Sequence, residues 1–240
     1  MEIRPKFSYK LRMAKFRILV TDLTEYGEKL RCVAGWDLDQ NKMIRPEPRP
    51  GGFWDRAVCG TGQPFNIANI VVFEAAPPNP PTQLPHLNED RVVEGGIAVE
   101  KSLSREEFIA ALKQIPTVSG SVAFAAPVQA RNAKAFVPTG TNHPSLRGLF
   151  VKSSEITFTT QKFGDGPAKA RCLVTVPKSP TINLSIAACD LRAVFRKSGR
   201  EGLKNLFINS NALHVRLGLA RGFGDYPDRC YMQVNGIFRL

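Results

Sequence analysis

The sequence predicts a mainly β protein built as two small barrels in tandem, each with one short helix. Three observations carry this expectation. Short apolar runs recur along the chain, alternate with polar residues and are separated by Gly and Pro. One capped helix interrupts them near the middle, and the strand pattern restarts after residue 145.

The first three runs form a meander. Phe16 to Val20 leads to a turn at Tyr26-Gly27, Leu30 to Trp36 follows, and Met43-Ile44-Arg45 begins a third run that Pro46 ends by withholding a ladder donor. Leu30, Cys32, Ala34 and Trp36 share one face of the second run, opposite Arg31, Val33 and Gly35, because side chains alternate with a period of two. Small residues at Ala34 and Gly35 suit the strong bend that closing a small barrel needs. A long Gly- and Pro-rich connection carries Phe53 and Trp54 beside Arg49 and Arg56. These aromatics either stack a base while a guanidinium takes a phosphate, or tuck back to cap their own barrel. Asn66 to Phe73 is a buried strand, and the prolines from Pro77 to Pro85 lay an extended arm beyond it. His86, Glu89 and Asp90 group closely, but such a cluster without a second motif reads as a turn rather than a metal site.

Ser104 and Glu107 make a capping box. Phe108, Ala111, Leu112 and Ile115 fall on one helical face, and Pro116 stops the helix. Residues 121–137 read as strands or an extended linker, and the boundary between domains falls between Val118 and Arg147. Leu149 to Thr160, Ala170 to Val176 and Thr181 to Ala187 are further strands, the last two separated by a Pro177 to Pro180 turn. Arg192, Arg196, Lys197 and Arg200 cluster next, a short helix is expected beyond Gly202, and two closing strands run from His214 to Leu219 and from Cys230 to Phe238. The expected organisation is a basic arm over 1–15, a first OB-like domain over 16–135 and a second over 145–240, which this pattern fits better than a sandwich or an α/β sheet. Met13 stands four residues before Arg17, so part of the arm reads equally as an alternative-start extension.

Arg17-Ile18-Leu19-Val20, Arg31-Cys32-Val33-Ala34-Gly35 and Ile44-Arg45-Pro46, followed near the C-terminus by Asp190-Leu191-Arg192, the run Leu213 to Arg221 and the run Tyr231 to Ile237, stand in a distinctive order. In that order the chain resembles the bacterial dual OB-fold domain family, whose members bind or modify nucleic acid. The resemblance implies a fold and a ligand class and supplies no reaction.

Charge points the same way. The net charge is +12 with pI ≈ 9.8, spread unevenly. Residues 1 to 17 hold six Lys or Arg against one acid, residues 18 to 100 seven against twelve, and residues 101 to 240 twenty against eight. A polyanion is therefore drawn to the arm and to the second half. Five dispersed cysteines without a CxxC pair argue for reduced core thiols rather than a zinc ribbon or a disulfide framework. With no apolar run near ~20 residues, the expectation is a cytoplasmic protein without membrane association.

The expected nucleic-acid-binding residues are Arg192, Arg196, Arg216, Arg221, Phe223, Tyr226, Arg229 and Tyr231 in the second half, with Trp54 and Arg45 in the first. For Arg216 and Arg221 the structural alternative is an ion pair with Asp190, Asp225 or Asp228. Arg31 is expected to be buried against Asp22 or Asp37. No GxxxxGK[ST] loop, D…ExK spacing or Cys-His signature is present, so no catalytic residue, metal or cofactor is expected. The chain reads as a binder of single-stranded or structured nucleic acid, acting as a non-catalytic targeting or accessory subunit, with a partner enzyme or effector protein as a further expected associate. Two rivals are a modifying enzyme with its site between the barrels and an interaction scaffold docking through the Pro77 to Pro85 arm.

Overall fold

The computed structural model describes residues 13–118, 129–131, 134–162, 164–175, 181–222 and 224–240. The basic arm through residue 12, most of the 121–137 segment, the 177–180 turn and Phe223 lie outside the described residues.

The molecule is mainly β. Its first half comprises β1 (Ala14–Tyr26), β2 (Leu30–Asp37), β3 (Lys42–Glu47), β4 (Trp54–Asp55), β5 (Asn69–Ala76), β6 (Asp90–Ser102) and helix α1 (Arg105–Gln114). The meander forms as expected, and β3 runs on through Pro46 to Glu47 because its Arg45–Glu47 stretch pairs in parallel with β6. Strand β1 closes the sheet. Its Ala14–Leu19 stretch pairs with β5 and its Ile18–Tyr26 stretch with β2, giving a closed five-stranded barrel in the order β1-β2-β3-β6-β5.

One strand can serve both neighbours because it bends at a bulge between Val20 and Asp22. Gly35 lets β2 cross closely there, since a Cβ at that position would stand 2.4 Å from the Leu19 carbonyl oxygen. Phe16, Ile18, Val33, Ile44, Val71 and Phe73 fill the barrel. Helix α1 starts at the predicted capping box of Ser104 and Glu107 and packs Phe108 and Leu112 against Leu19 and Ile70.

The second half comprises β7 (Thr117–Val118), β8 (Gln129–Arg131), β9 (Lys134–Pro138), β10 (Leu146–Lys152), β11 (Ile156–Gln161), β12 (Lys169–Val174), β13 (Ile182–Ile186), helix α2 (Cys189–Phe207), β14 (Ala212–Leu219) and β15 (Arg229–Arg239). These strands make a second sheet in the order β11-β12-β13-β15-β14-β10-β7, with β9 on β15 and β8 on β9. Strands β13 and β15 run parallel, as β3 and β6 do in the first half. Strand β10 lies on β14 and β11 on β12, and a 3-10 turn at Ser153–Glu155 separates β10 from β11.

Two expectations need correction. The strands from Thr117 onward all belong to the second sheet, so the division between sheets falls just after α1 and not at residue 135. The short helix expected beyond Gly202 is only the second limb of α2. A first limb starts at Cys189, and the two meet at Gly199, whose φ +60° and ψ −157° break the helix in a conformation that glycine adopts without a Cβ penalty. Leu191, Leu203 and Phe207 anchor it in the core with Leu184, Ile186 and Val215.

The halves are sewn together. The Glu25 amide donates to the Ala187 carbonyl at 2.9 Å, Phe108 meets Phe238 edge-on at 5.0 Å, and Arg216 Nε donates to Asp22 Oδ2 at 3.0 Å. His86 of the first half also donates Nε2 to the Leu219 carbonyl of the second at 2.9 Å. Among the described residues no helix is long and apolar enough to cross a membrane.

Candidate functional site

A cleft of about 850 Å³ lies between the halves. Period-two alternation builds both walls. On the first half, Val33 and Ile44 point into the barrel, which turns Thr24, Cys32, Ala34, Arg45 and Glu47 outward to the cleft. On the second half, Cys172, Leu184 and Val234 fill the core, which leaves Lys169 and Arg171 of β12, Asn183 and Ser185 of β13, and Gln233 and Asn235 of β15 on the opposing wall. The Tyr26-Gly27 turn, the Gly52-Phe53 loop and the loop around Tyr226 also border the cleft.

The first wall is a closed network of charges. Arg45 Nη1 donates to Asp90 Oδ1 at 2.7 Å and Nη2 to Ser145 Oγ at 2.7 Å. Ser145 in turn donates its amide and its hydroxyl to Glu89 at 2.8 and 2.9 Å. Arg221 Nη2 bridges Asp90, at 2.8 Å, and Glu47. Burial, reinforced by the neighbouring Asp90 charge, pushes the Glu47 carboxyl up to about 7 against the pull of Arg221. Burial also works to raise Asp90, yet Arg45 and Arg221 outweigh it and hold that carboxyl below its usual range. Burial drives His86 beside them down to about 3, with Arg45 and Arg221 adding to the effect.

The second wall differs. Arg171, 6% exposed, donates Nε to Asn183 Oδ1 at 2.8 Å, Nη1 to Ser185 Oγ at 2.6 Å and Nη2 to the Asn183 carbonyl at 2.8 Å. All three partners are neutral. Among the described residues no carboxylate pairs with it.

Of the residues expected from sequence, Arg45, Arg192, Arg221, Tyr226 and Tyr231 come together around the cleft. Arg45 needs correction as a phosphate contact. It is 4% exposed and committed to Asp90, so its charge is spent inside the protein. Arg216 needs the same correction, being completely buried and paired with Asp22 of the other half rather than Asp190, Asp225 or Asp228. Arg221 also pairs with distant acids, Glu47 and Asp90.

Arg192 and Arg196 grip Glu25 at 3.3 and 2.8 Å. Trp54 is drawn back to the barrel, its Nε1 donating to the Pro46 carbonyl at 2.8 Å and its ring against Phe65. Phe53 instead stacks on Tyr26 with centroids 4.1 Å apart and planes 5° from parallel. Arg229 lies over the rings of Tyr226 and Phe136 at 4.7 and 5.2 Å, and Tyr226 meets Tyr231 edge-on at 6.4 Å. Phe223 is outside the described residues.

Arg31 is not buried against an acid. It donates to the Glu28 and Leu30 carbonyls. His86 to Asn88 form a 3-10 turn, as expected of that cluster, while Glu89 and Asp90 serve the buried network. Sequence reasoning missed Arg171, Asn183, Ser185 and Gln233. Alternation on β12 and β13 sets Arg171, Asn183 and Ser185 opposite Ala170, Cys172, Leu184 and Ile186, but does not say that their face lines a cleft.

No protein-family model matches the chain, and comparison with curated proteins and with solved structures returns no similar one.

Proposed function

We propose that the protein binds nucleic acid, single-stranded or structured, in the cleft between its halves and acts as a non-catalytic targeting or accessory subunit. The observation that carries this reading is the pairing of two walls. A cationic and amide-rich strand face looks across the cleft at the outer face of a closed barrel, and aromatic rings stand around the opening. Rings stack bases without regard to sequence, and guanidinium and ammonium groups track phosphates.

Two OB-like barrels in tandem support the same reading. The first barrel runs β1-β2-β3-β6-β5 and back to β1. The path β11-β12-β13-β15-β14-β10 repeats that order if β10 and β11 are taken as one strand broken at Ser153–Glu155. On this view the cleft walls are the outer faces of strands two and three of both barrels, the face on which OB barrels hold oligonucleotides. The family resemblance in the sequence belongs to this proposal.

Fluorescence anisotropy with labelled single-stranded RNA, single-stranded DNA and duplex across a salt series tests it. Binding should be micromolar or tighter, fall steeply with salt, and weaken in Tyr226→Ala and Tyr26→Ala, both exposed rings whose loss spares the core. No binding near physiological salt overturns the reading.

A further inference from the structure

Among the described residues the other buried arginines come paired. Arg45 and Arg216 are as deeply buried as Arg171, and each has a carboxylate oxygen within 3.0 Å. That is the ordinary condition for desolvating a charge. Arg171 departs from it while lining the cleft. A guanidinium carries five N–H groups. Three are engaged, one on each nitrogen, so one N–H remains on Nη1 and one on Nη2.

Asn183 and Ser185 fix the group's position on the strand face, and an N–H is left on each terminal nitrogen, the two nitrogens with which a guanidinium meets the oxygens of a phosphate. Lys169, two residues earlier on the same strand face, lines the same cleft. Burial presses Arg171 toward losing its proton more strongly than the neighbouring Cys172 thiol opposes it, and an incoming anion would relieve that cost. The volume of the cleft is that of a pocket for a small ligand rather than of an open channel.

We propose that Arg171 is the seat of one phosphate group of a short nucleotide ligand, gripped through the free N–H on each of its terminal nitrogens. The proposal rests on the reading of the cleft as a nucleic-acid site and names the group within it that fixes the ligand's position. A strand terminus and an internal diester both present such a phosphate, and the ligands below separate the two.

The test is anisotropy with a labelled tetranucleotide carrying either a 5′-hydroxyl or a 5′-phosphate, measured over a salt series on the wild type, Arg171→Gln and Arg171→Lys, with thermal unfolding of each protein as a check on folding. Arg171→Gln should weaken binding about tenfold and lower the slope of log affinity against log salt by about one. Arg171→Lys keeps the charge and loses the fork, and should fall between. A loss confined to the 5′-phosphorylated strand assigns the seat to a terminal phosphate, and an equal loss on both assigns it to a diester. Should the glutamine variant fail to fold, the lysine variant decides. Unchanged affinity and salt slope in a folded variant overturn the seat while leaving the nucleic-acid reading intact. Failure of every strand to bind the wild type overturns that reading and the seat with it.

Discussion

The two halves share a parallel strand pair, β3 with β6 and β13 with β15, but differ in what flanks it. In the first, a single strand, β1, turns at a bulge and reaches both β5 and β2. In the second, β10 pairs with β14 and β11 with β12, and a 3-10 turn at Ser153–Glu155 separates the two. Their cleft-facing walls differ as well. The first places Glu47 outward with Asp90 behind it and neutralises both with arginines, one of them from the second half. The second presents Arg171, with which no carboxylate pairs among the described residues. The contrast separates two uses of charge: the acidic wall holds the halves together, and the basic wall stays open to an anion.

The largest expected effect comes from unmaking the bond between halves. Arg216→Met leaves Asp22 buried without its cation and should cost about 3–5 kcal/mol in urea unfolding. Adding Asp22→Asn should recover most of the loss, and no recovery would mean that the pair is not what joins the halves.

Acid is the next lever. Burial drives His86 down to about 3 and His214 down to about 4, each from 6.5. The unfolded chain therefore takes up protons first. Stability is full above pH ~6.5 and declines as the pH falls toward 4, by up to about 3 kcal/mol for each histidine. Glu47 acts in the opposite sense. Its folded value near 7 lies above the ordinary 4.5, so it removes stability as the pH rises between those values. Glu47→Gln should make the rise in stability from pH 4.5 to 6.5 steeper than in the wild type, and an unchanged profile from chemical denaturation at each pH would refute the assignment.

Two glycines sharpen the comparison of how the halves are packed. A Cβ at Gly35 meets the Leu19 backbone, whereas at Gly218 the three nearest atoms all belong to the Asn235 side chain. Gly35→Ala should cost about 1–3 kcal/mol, since the barrel itself must shift, and Gly218→Ala less, because an amide can turn aside. Equal losses in thermal unfolding would show that both sheets yield alike. The smallest effect is expected at the rim. Arg196→Ala removes a half-exposed partner from Glu25, which keeps Arg192, and should change stability by less than about 1 kcal/mol.

What could be read from the sequence follows the range of the interactions. The meander and α1 were legible because alternation, a capping box and a terminating proline act over a few residues. The start of α2 was not, because Ala188 offers no side-chain cap and the break at Gly199 leaves the first limb short. Arg216 sits in an apolar run whose alternation says nothing of Asp22, 194 residues away. Arg171 was hidden for another reason. A lone arginine in a strand is unremarked until its neighbours are known to be neutral.

The distance between Asp22 and Arg216 also sets an order of events during synthesis. At roughly 5–20 residues per second, the ribosome needs about 10–40 s to make the chain that separates them. Once β6 is complete at Ser102 the first barrel waits for its partner, and the carboxylates of Asp22 and Glu47 face water until Arg216 and Arg221 are made. The acids that later become a seam serve first as the hydrated coat of a half-made protein.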